Sequence, residues 1–167
     1  MRFCSIASGS SGNCIYVGSD NTHVLVDIGI SGKKMETGLN SLELTGRDLD
    51  GILITHEHSD HIKGLGVISR KYGIPIYATA GTVDAMVRTN ALGKIPEGIF
   101  HEIQEDEPFM INDLKVNPFT IPHDAAQPVG YRLEHEGHSV GIATDLGKYN
   151  DYIIENLQGL DALLLEA

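Results

Sequence analysis

The sequence has few of the features that mark secreted, membrane or disulfide-linked proteins. Its 167 residues include no tryptophan, only two cysteines (Cys4 and Cys14), and no run near the roughly 18 apolar residues of a transmembrane helix. Two cysteines outside a CxxC spacing predict reduced thiols rather than a disulfide or metal ligands. The N-terminus, MRFCSIASGSSGN, places serines and glycines where a signal peptide has its apolar segment. We therefore expect a cytoplasmic protein that does not enter a membrane.

Positive charge is also scarce. The chain has 12 lysines and arginines against 23 aspartates and glutamates, which gives a net charge of -11. Such a charge repels polyanions at long range, so a nucleic-acid substrate would need a local attraction. Five cations in two predicted helices form either a local positive rim or an ordinary solvated face. They are Lys33, Lys34, Lys63, Arg70 and Lys71.

The pattern of apolar residues predicts one α/β domain over residues 1–167. Predicted strands include RFCSIA, NCIYVGS, HVLVDIG, LDGILIT, PIYAT, IFHEI and DLKVNPFTI, and a hairpin turns at Glu136-Gly137. Predicted helices follow Ser31, run from about Asp60 to Tyr72, and cover GTVDAMVRTNAL and DYIIENL. The final run, ALLLEA, reads as a core strand. We therefore expect the chain to be the N-terminal part of a longer domain, with an exposed sheet edge that could mediate oligomerisation.

The stretch THEHSDH, residues 55–61, holds three histidines and two carboxylates just after the apolar run GILI. His56 and His58 are two apart in an extended segment, so both side chains face the same way and can bind one ion. Asp60 and His61 begin the next helix and can face a second ion. His123 and Asp145 follow later strands and offer further ligands. The other histidines, His23, His101, His135 and His138, are expected to have no metal role.

A glycine- and serine-rich loop lies between the first two predicted strands. It comprises Ser8, Gly9, Ser10, Ser11, Gly12 and Asn13. Its backbone N–H groups and hydroxyls could bind a phosphate of the substrate. The alternative is a hairpin turn that only joins two strands.

The HxHxDH pattern of His56, His58, Asp60 and His61, with Asp27 upstream and His123 and Asp145 downstream, resembles the metallo-β-lactamase superfamily. The segments FCSIASGSSGNCIYV, THEHSDHIKGL, IPHDA and TDLG are similar to the YycJ/WalJ group of bacterial metallo-hydrolases. This resemblance implies a four-layer αββα sandwich, in which two mixed sheets pack together with helices outside. It also implies that the domain is incomplete at its C-terminus here.

The resemblance further implies a centre of two divalent metal ions, zinc in the first place, with manganese or iron as alternatives. His56, His58 and His123 would bind the first ion, Asp60 and His61 the second, and Asp145 would bridge them. Asp27 would support the site without binding metal, although a strand-end aspartate that caps a turn is the alternative. The superfamily supplies one more histidine from a later strand, and none follows Asp145 here.

The implied activity is that of a phosphodiesterase, specifically a DNA exonuclease. Two cations can generate a hydroxide at neutral pH and neutralise charge on a phosphoryl oxygen. Asp60 would orient the water or accept its proton, and Asp145 would be the second catalytic carboxylate. One alternative is a thioester or lactone hydrolase for small molecules, and another is a non-catalytic binding or regulatory module. The sequence gives no indication of protein partners.

Overall fold

The computed structural model describes residues 1–144 and 151–165. It contains five α-helices and eleven β-strands within these ranges. The strands are β1 (Arg2–Ala7), β2 (Cys14–Gly18), β3 (His23–Val26), β4 (Gly51–Leu53), β5 (Ile76–Thr79), β6 (Phe100–Ile103), β7 (Phe109–Ile111), β8 (Leu114–Thr120), β9 (Val129–His135), β10 (His138–Ala143) and β11 (Ala162–Leu165). The helices are α1 (Gly32–Ser41), α2 (Ser59–Ile62), α3 (Leu65–Tyr72), α4 (Ala80–Arg88) and α5 (Asp151–Asn156). None of the described helices has the length and hydropathy needed to cross a membrane.

The strands form two sheets, and both are mixed. The first has the order β1-β2-β3-β4-β5-β6, and the second has the order β11-β10-β9-β8-β7. In the first sheet β1, β2 and β3 pair antiparallel, whereas β3, β4, β5 and β6 pair parallel. In the second, β11 is parallel to β10 and the other pairs are antiparallel. The predicted α/β class with two mixed sheets is therefore confirmed.

Strand β2 separates two buried layers, because it is buried on both faces. Alternate side chains of a strand point to opposite faces. Ile15 and Val17 join a cluster between the two sheets, whereas Cys14 and Tyr16 join a cluster on the helix side. A β-strand buried on both faces must be apolar at almost every position, as the sequence CIYVG is. This strand therefore lies at the centre of the domain.

Helices cover the outer faces of both sheets. The buried residues of α1, α3 and α4, such as Met35, Leu65 and Met86, pack in the cluster on the first sheet. On the second sheet, Ile153 of α5 packs with Phe119 of β8. The layers are thus helix, sheet, sheet and helix, which confirms the αββα sandwich implied by the resemblance.

The chain carries local signals at several element ends. The Ser31 side chain accepts a hydrogen bond from the Lys34 N–H and so caps α1. Gly73 has a φ of 65° and ends α3 in the left-handed conformation that glycine adopts without strain. Glu136 and Gly137 both have positive φ, at 47° and 80°, which is the geometry of a type I′ turn. The predicted hairpin is confirmed.

The helix predicted from Asp60 to Tyr72 is wrong in one respect, because the structure has two helices, α2 and α3, in its place. The break lies at Gly64, whose N–H donates to the carbonyl oxygen of Ile28 at 2.8 Å. A Cβ atom on Gly64 would lie 2.2 Å from the carbonyl oxygen of Ile30. The chain therefore passes against the segment after β3 at a point where only glycine fits, and apolar periodicity gives no sign of this contact. The short strand β7 was also not predicted.

We expect Tyr131→Phe to lower the free energy of unfolding by about 1–2 kcal/mol. Tyr131 is fully buried in the second sheet, and its hydroxyl donates to the Ile54 carbonyl oxygen at the end of the first sheet's β4, at 2.6 Å. Urea denaturation followed by circular dichroism measures the change. Tyr152→Phe on the exposed side of α5 is the control, with a change below about 0.5 kcal/mol. Equal losses in the two variants would contradict a role for this inter-sheet hydrogen bond.

Candidate metal centre

The candidate site forms where several connecting segments meet at one end of the two sheets. Residues 54–58 connect the end of β4 to the start of α2, and His58 at their end has an extended backbone. Residues 121–128 connect β8 to β9, and the Val129 N–H donates to the Thr55 carbonyl oxygen at 3.0 Å. This hydrogen bond joins the start of β9 in the second sheet to the histidine motif that follows the first. The two predicted groups of histidines, which are more than sixty residues apart, therefore lie together.

Three of the predicted ligands converge. The ligand atoms of His56, His58 and His123 all lie within 4.8 Å of one another. His123 Nε2 lies 3.3 Å from His58 Nδ1. Two nitrogen ligands of a tetrahedral zinc ion at about 2.0 to 2.1 Å lie about 3.3 Å apart. The distance between His58 and His123 therefore fits two ligands of one metal ion, and His56 lies beside them.

Burial keeps His56 neutral. Its side chain is fully buried, and desolvation, followed by repulsion from His61, His123 and His58, lowers its pKa to about 2. A neutral imidazole is the form that binds a metal, because a protonated ring has no lone pair to donate. At neutral pH no proton has to leave His56 for it to act as a ligand.

A buried hydrogen-bond chain orients two of the rings. Asp27 accepts from the backbone N–H of Thr55 at 2.8 Å and from its hydroxyl at 2.7 Å. The same carboxylate lies 2.6 Å from His61 Nδ1, and the Thr55 hydroxyl oxygen lies 3.0 Å from His56 Nδ1. A carboxylate can only accept, so His61 must carry its proton on Nδ1. The Thr55 hydroxyl donates its one hydrogen to Asp27, so its oxygen can only accept from the His56 ring, and His56 Nδ1 is the donor in that contact. Both rings then present Nε2 as the acceptor, which is the atom that a metal would bind.

The predicted second group of ligands lies beside the first. The His56 and His61 rings have centroids 4.0 Å apart, and His61 Nε2 is 3.5 Å from Asp60 Oδ2. His61 is fully buried, whereas the Asp60 side chain is 29% exposed and so can reach solvent. These two residues could hold a second ion next to the three histidines. Asp145, the predicted bridging residue, lies outside the described residues.

The glycine-serine loop is part of the site and more than a connection between β1 and β2. The Asn13 N–H donates to the Asp60 carbonyl oxygen at 2.8 Å, and its side-chain Nδ2 is 3.3 Å from His61 Nε2. The N–H groups of Gly9, Gly12 and Asn13 all have protein acceptors. A phosphate held by this loop would therefore depend on the remaining N–H groups and on the exposed hydroxyls of Ser8, Ser10 and Ser11. The prediction that the loop binds substrate stays a prediction.

Gly29 explains how the loop comes so close to the motif. The Gly29 N–H donates to the Asn13 carbonyl oxygen at 2.7 Å. A Cβ atom at Gly29 would lie 1.6 Å from the carbonyl oxygen of Asp60. Backbone therefore packs directly on backbone at Gly29. Two residues earlier, Asp27 adopts a φ of 63°, a conformation that Asp and Asn tolerate better than most residues.

Thr55 is the residue at the centre that was not predicted from the sequence. Its hydroxyl contacts Asp27, His56 and His61, yet a threonine at a strand end is common and carries no spacing signal. Only its position directly before the first histidine could have suggested a role.

The four histidines expected to have no metal role lie outside the cluster. His23 contacts the Tyr16 hydroxyl, His135 the Asp113 carbonyl oxygen, His101 the Tyr77 ring, and His138 faces Asp161.

Both cysteines are free thiols, as predicted. Cys14 is fully buried in β2, and burial, with a smaller contribution from Asp27, raises the pKa of its thiol. A thiol in this state is a poor nucleophile and a poor metal ligand.

With this fold and this cluster, the chain belongs to the beta-lactamase superfamily. The protein-family model described as "Beta-lactamase superfamily domain" matches its residues 22–167. Exodeoxyribonuclease YycJ of Bacillus anthracis is 40% identical to it over all 167 residues, and exodeoxyribonuclease WalJ of Streptococcus pneumoniae is 39% identical. The chain spans 62% of the length of each of these curated relatives. The crystal structure of zinc-bound PqqB from Methylobacterium extorquens superposes with a TM-score of 0.76. It is 18% identical, and the superposition covers 93% of this chain and 60% of the PqqB chain. This similarity therefore supports the fold alone.

We expect Asp27→Asn to lower the free energy of unfolding by about 2–3 kcal/mol, because buried hydrogen bonds to a charged acceptor are lost or weakened. Asparagine tolerates the positive φ at this position, so the backbone is not the cause. Chemical denaturation measures the loss, and 15N NMR of the histidine side chains reports whether His61 keeps its Nδ1 proton. Asp20→Asn in the exposed turn after β2 is the matched control. Wild-type stability and an unchanged tautomer in Asp27→Asn would contradict the hydrogen-bond chain.

Proposed function

We propose that this chain carries the metal centre of a metal-dependent hydrolase that cleaves phosphodiesters, and that its substrate is DNA, which it degrades as an exonuclease. The observation that carries the proposal is the convergence of His56, His58 and His123 within 4.8 Å, beside Asp60 and His61. The relatives named exodeoxyribonuclease support the choice of substrate.

The proposed centre holds two divalent ions. His56, His58 and His123 would hold the first, Asp60 and His61 would hold the second, and Asp145 would be a ligand shared by both. Zinc is the proposed metal, because imidazole-rich sites suit zinc, although manganese and iron share these ligands. Asp27 accepts a hydrogen bond from Nδ1 of His61 and so orients that ring, without binding metal itself.

Divalent ions at such a centre lower the pKa of water and neutralise charge that builds on a phosphoryl oxygen. The protein's own residues do the rest. Asp60 is the carboxylate among the described site residues that is open to solvent, so it can orient the attacking water and accept its proton. Asp145 is the proposed second catalytic carboxylate.

We expect His58→Ala and His123→Ala each to weaken the binding of zinc by more than about 100-fold, because each removes a ligand from the first ion. Elemental analysis of the purified protein should find about two ions per chain in the wild type. Hydrolysis of bis(p-nitrophenyl) phosphate should be lost with a chelator and in both variants. His101→Ala on the exposed side of β6 is the matched control and should behave as wild type.

The variant Asp60→Asn separates binding from chemistry. It should lower turnover much more than it weakens binding of the substrate, because an amide cannot accept the proton. Near-normal turnover in this variant would remove Asp60 from the mechanism. A wild-type protein that binds no metal and hydrolyses no phosphodiester would refute the proposal as a whole.

A DNA substrate has to overcome the net charge of -11. Two of the five cations considered from the sequence have local partners. Lys71 Nζ pairs with Glu36 Oε1 at 2.7 Å, and Arg70 donates to the carbonyl oxygens of Leu92 and Lys94 at 2.6 and 2.8 Å. These two cations therefore belong to an ordinary solvated face.

Lys33 and Lys34 are different. Both are exposed, and within the part of the chain that the structure describes no acidic side chain pairs with either. They line a groove between β1 and α1 that also includes Ser11 of the glycine-serine loop, and none of the described residues that line it is acidic. The loop in turn contacts His61 through Asn13. This groove offers the local attraction that a DNA strand entering the site would need.

We expect Lys33→Ala with Lys34→Ala to raise KM for single-stranded DNA and to reduce the slope of log KM against log salt by about 1.4, because two phosphate contacts are lost. Hydrolysis of bis(p-nitrophenyl) phosphate, which is too small to extend along the groove, should stay at the wild-type rate. Lys115→Ala on the second sheet is the control. An unchanged KM and salt slope would remove the groove from the path of the DNA.

The alternatives use the same residues in other ways. A thioester or lactone hydrolase would cleave small molecules and leave DNA intact, which suits the acidic charge of the chain. A non-catalytic module would bind at most one metal ion and hydrolyse nothing. The cytoplasmic location, the single domain over residues 1–167 and oligomerisation through the edge strand β11 stay predictions.

A further inference from the structure

We propose that Glu57, the residue between the first two histidines of the motif, is a positioning residue that holds the loop of residues 121–128 so that His123 faces His58. The inference rests on the metal-binding part of the proposed function. Glu57 has no part in the metal binding or the chemistry proposed above.

Glu57 lies between His56 and His58 in the sequence but contacts a different segment. The rings of the two histidines have centroids 4.7 Å apart, in an edge-to-face arrangement. The Glu57 carboxylate instead accepts the backbone N–H of Ala126, at 3.0 Å from Oε2 and 3.4 Å from Oε1. Three consecutive residues thus supply two imidazoles to the candidate centre and one acceptor to the loop that carries the third.

The hydrogen bond holds the stretch of the loop between His123 and Gln127, and the Gln127 carbonyl oxygen in turn accepts from the Thr79 hydroxyl at 2.9 Å. At the base of the loop, the Ile121 N–H donates to the Pro128 carbonyl oxygen at 3.4 Å. Further along, the Gln127 side-chain oxygen accepts the Gly81 N–H at 2.7 Å, which ties the loop to the start of α4. Between these anchors the Ala125 N–H donates back to the His123 carbonyl oxygen at 2.9 Å, which closes a small turn.

The turn of residues 123–125 is followed directly by Ala126, whose N–H is held by Glu57. Both hydrogen bonds that the structure gives the Glu57 side chain go to Ala126, and among the described residues no lysine or arginine pairs with it. Without this acceptor the turn keeps its internal hydrogen bond, but the Ala126 backbone beside it is no longer bonded to the motif. His123 Nε2 would then no longer be held 3.3 Å from His58 Nδ1. Metal affinity falls when ligands have to be brought together at the moment of binding.

The test compares Glu57→Ala with Glu57→Gln by competition for zinc with a chromophoric chelator. We expect Glu57→Ala to weaken zinc binding by about 10-fold or more. Glu57→Gln should stay within about 3-fold of the wild type, because its amide oxygen can still accept the Ala126 N–H. Glu102→Ala, at an exposed position of the edge strand β6, is the control. Denaturation curves show whether each variant is folded.

Hydrogen exchange at the Ala126 amide gives a second readout that needs no metal. It should be faster in Glu57→Ala than in the wild type and unchanged in Glu57→Gln. Wild-type zinc affinity in a folded Glu57→Ala variant would overturn the inference, and so would equal losses of affinity in both variants. If the wild type binds no zinc, the proposed function is refuted instead. In that case, exchange at Ala126 that is as slow in Glu57→Ala as in the wild type would still overturn the inference.

Discussion

The geometry of the candidate centre depends on the hydrogen bonds that the buried carboxylate of Asp27 accepts. It lies 1% exposed at the end of β3 and accepts hydrogen bonds from the backbone and side chain of Thr55 and from His61 Nδ1. A charge in such a place is tolerated only because three donors replace its water. The same three bonds align the chain after β4 with α2. The carboxylate is therefore both a structural tie between neighbouring segments and the group that sets which nitrogen of His61 faces the site.

The second sheet supplies His123, the remaining member of the histidine cluster among the described residues. The cluster between the sheets holds β8 and β9 against the first sheet, and the Tyr131 hydroxyl and the Thr55 carbonyl oxygen join the two sheets beside the motif. The loop after β8 thereby brings His123 to His58. A rigid core with functional residues on the connecting loops is a common arrangement, because loops can carry ligands while the sheets fix their ends. The hydrogen bond from Ala126 to Glu57 adds a direct tie across the centre.

Several parts of this arrangement could be predicted from local residue patterns. The strand before the motif follows from the apolar run GILI, the cap of α1 from Ser31, and the hairpin from Glu136-Gly137. The approach of His56 to His58 follows from the two-residue period of an extended chain. Each of these features depends on residues that are neighbours in the sequence. The break at Gly64 could not be predicted, because its cause is a contact with Ile28 and Ile30, more than thirty residues earlier.

By itself, the sequence determined the class of fold, the positions of most strands and helices, and the cluster of metal-seeking side chains at residues 56–61. Only the tertiary structure decided which distant residues join them and in which form. The meeting of His123 with His58 depends on how the two sheets pack. The hydrogen bonds that orient His56 and His61 through Thr55 and Asp27, and the placement of the glycine-serine loop against Asp60, depend on how strands β1 to β4 pair within the first sheet. The physical reason is that propensity and periodicity act over a few residues, whereas contacts and buried hydrogen bonds form between segments that only the folded core brings together.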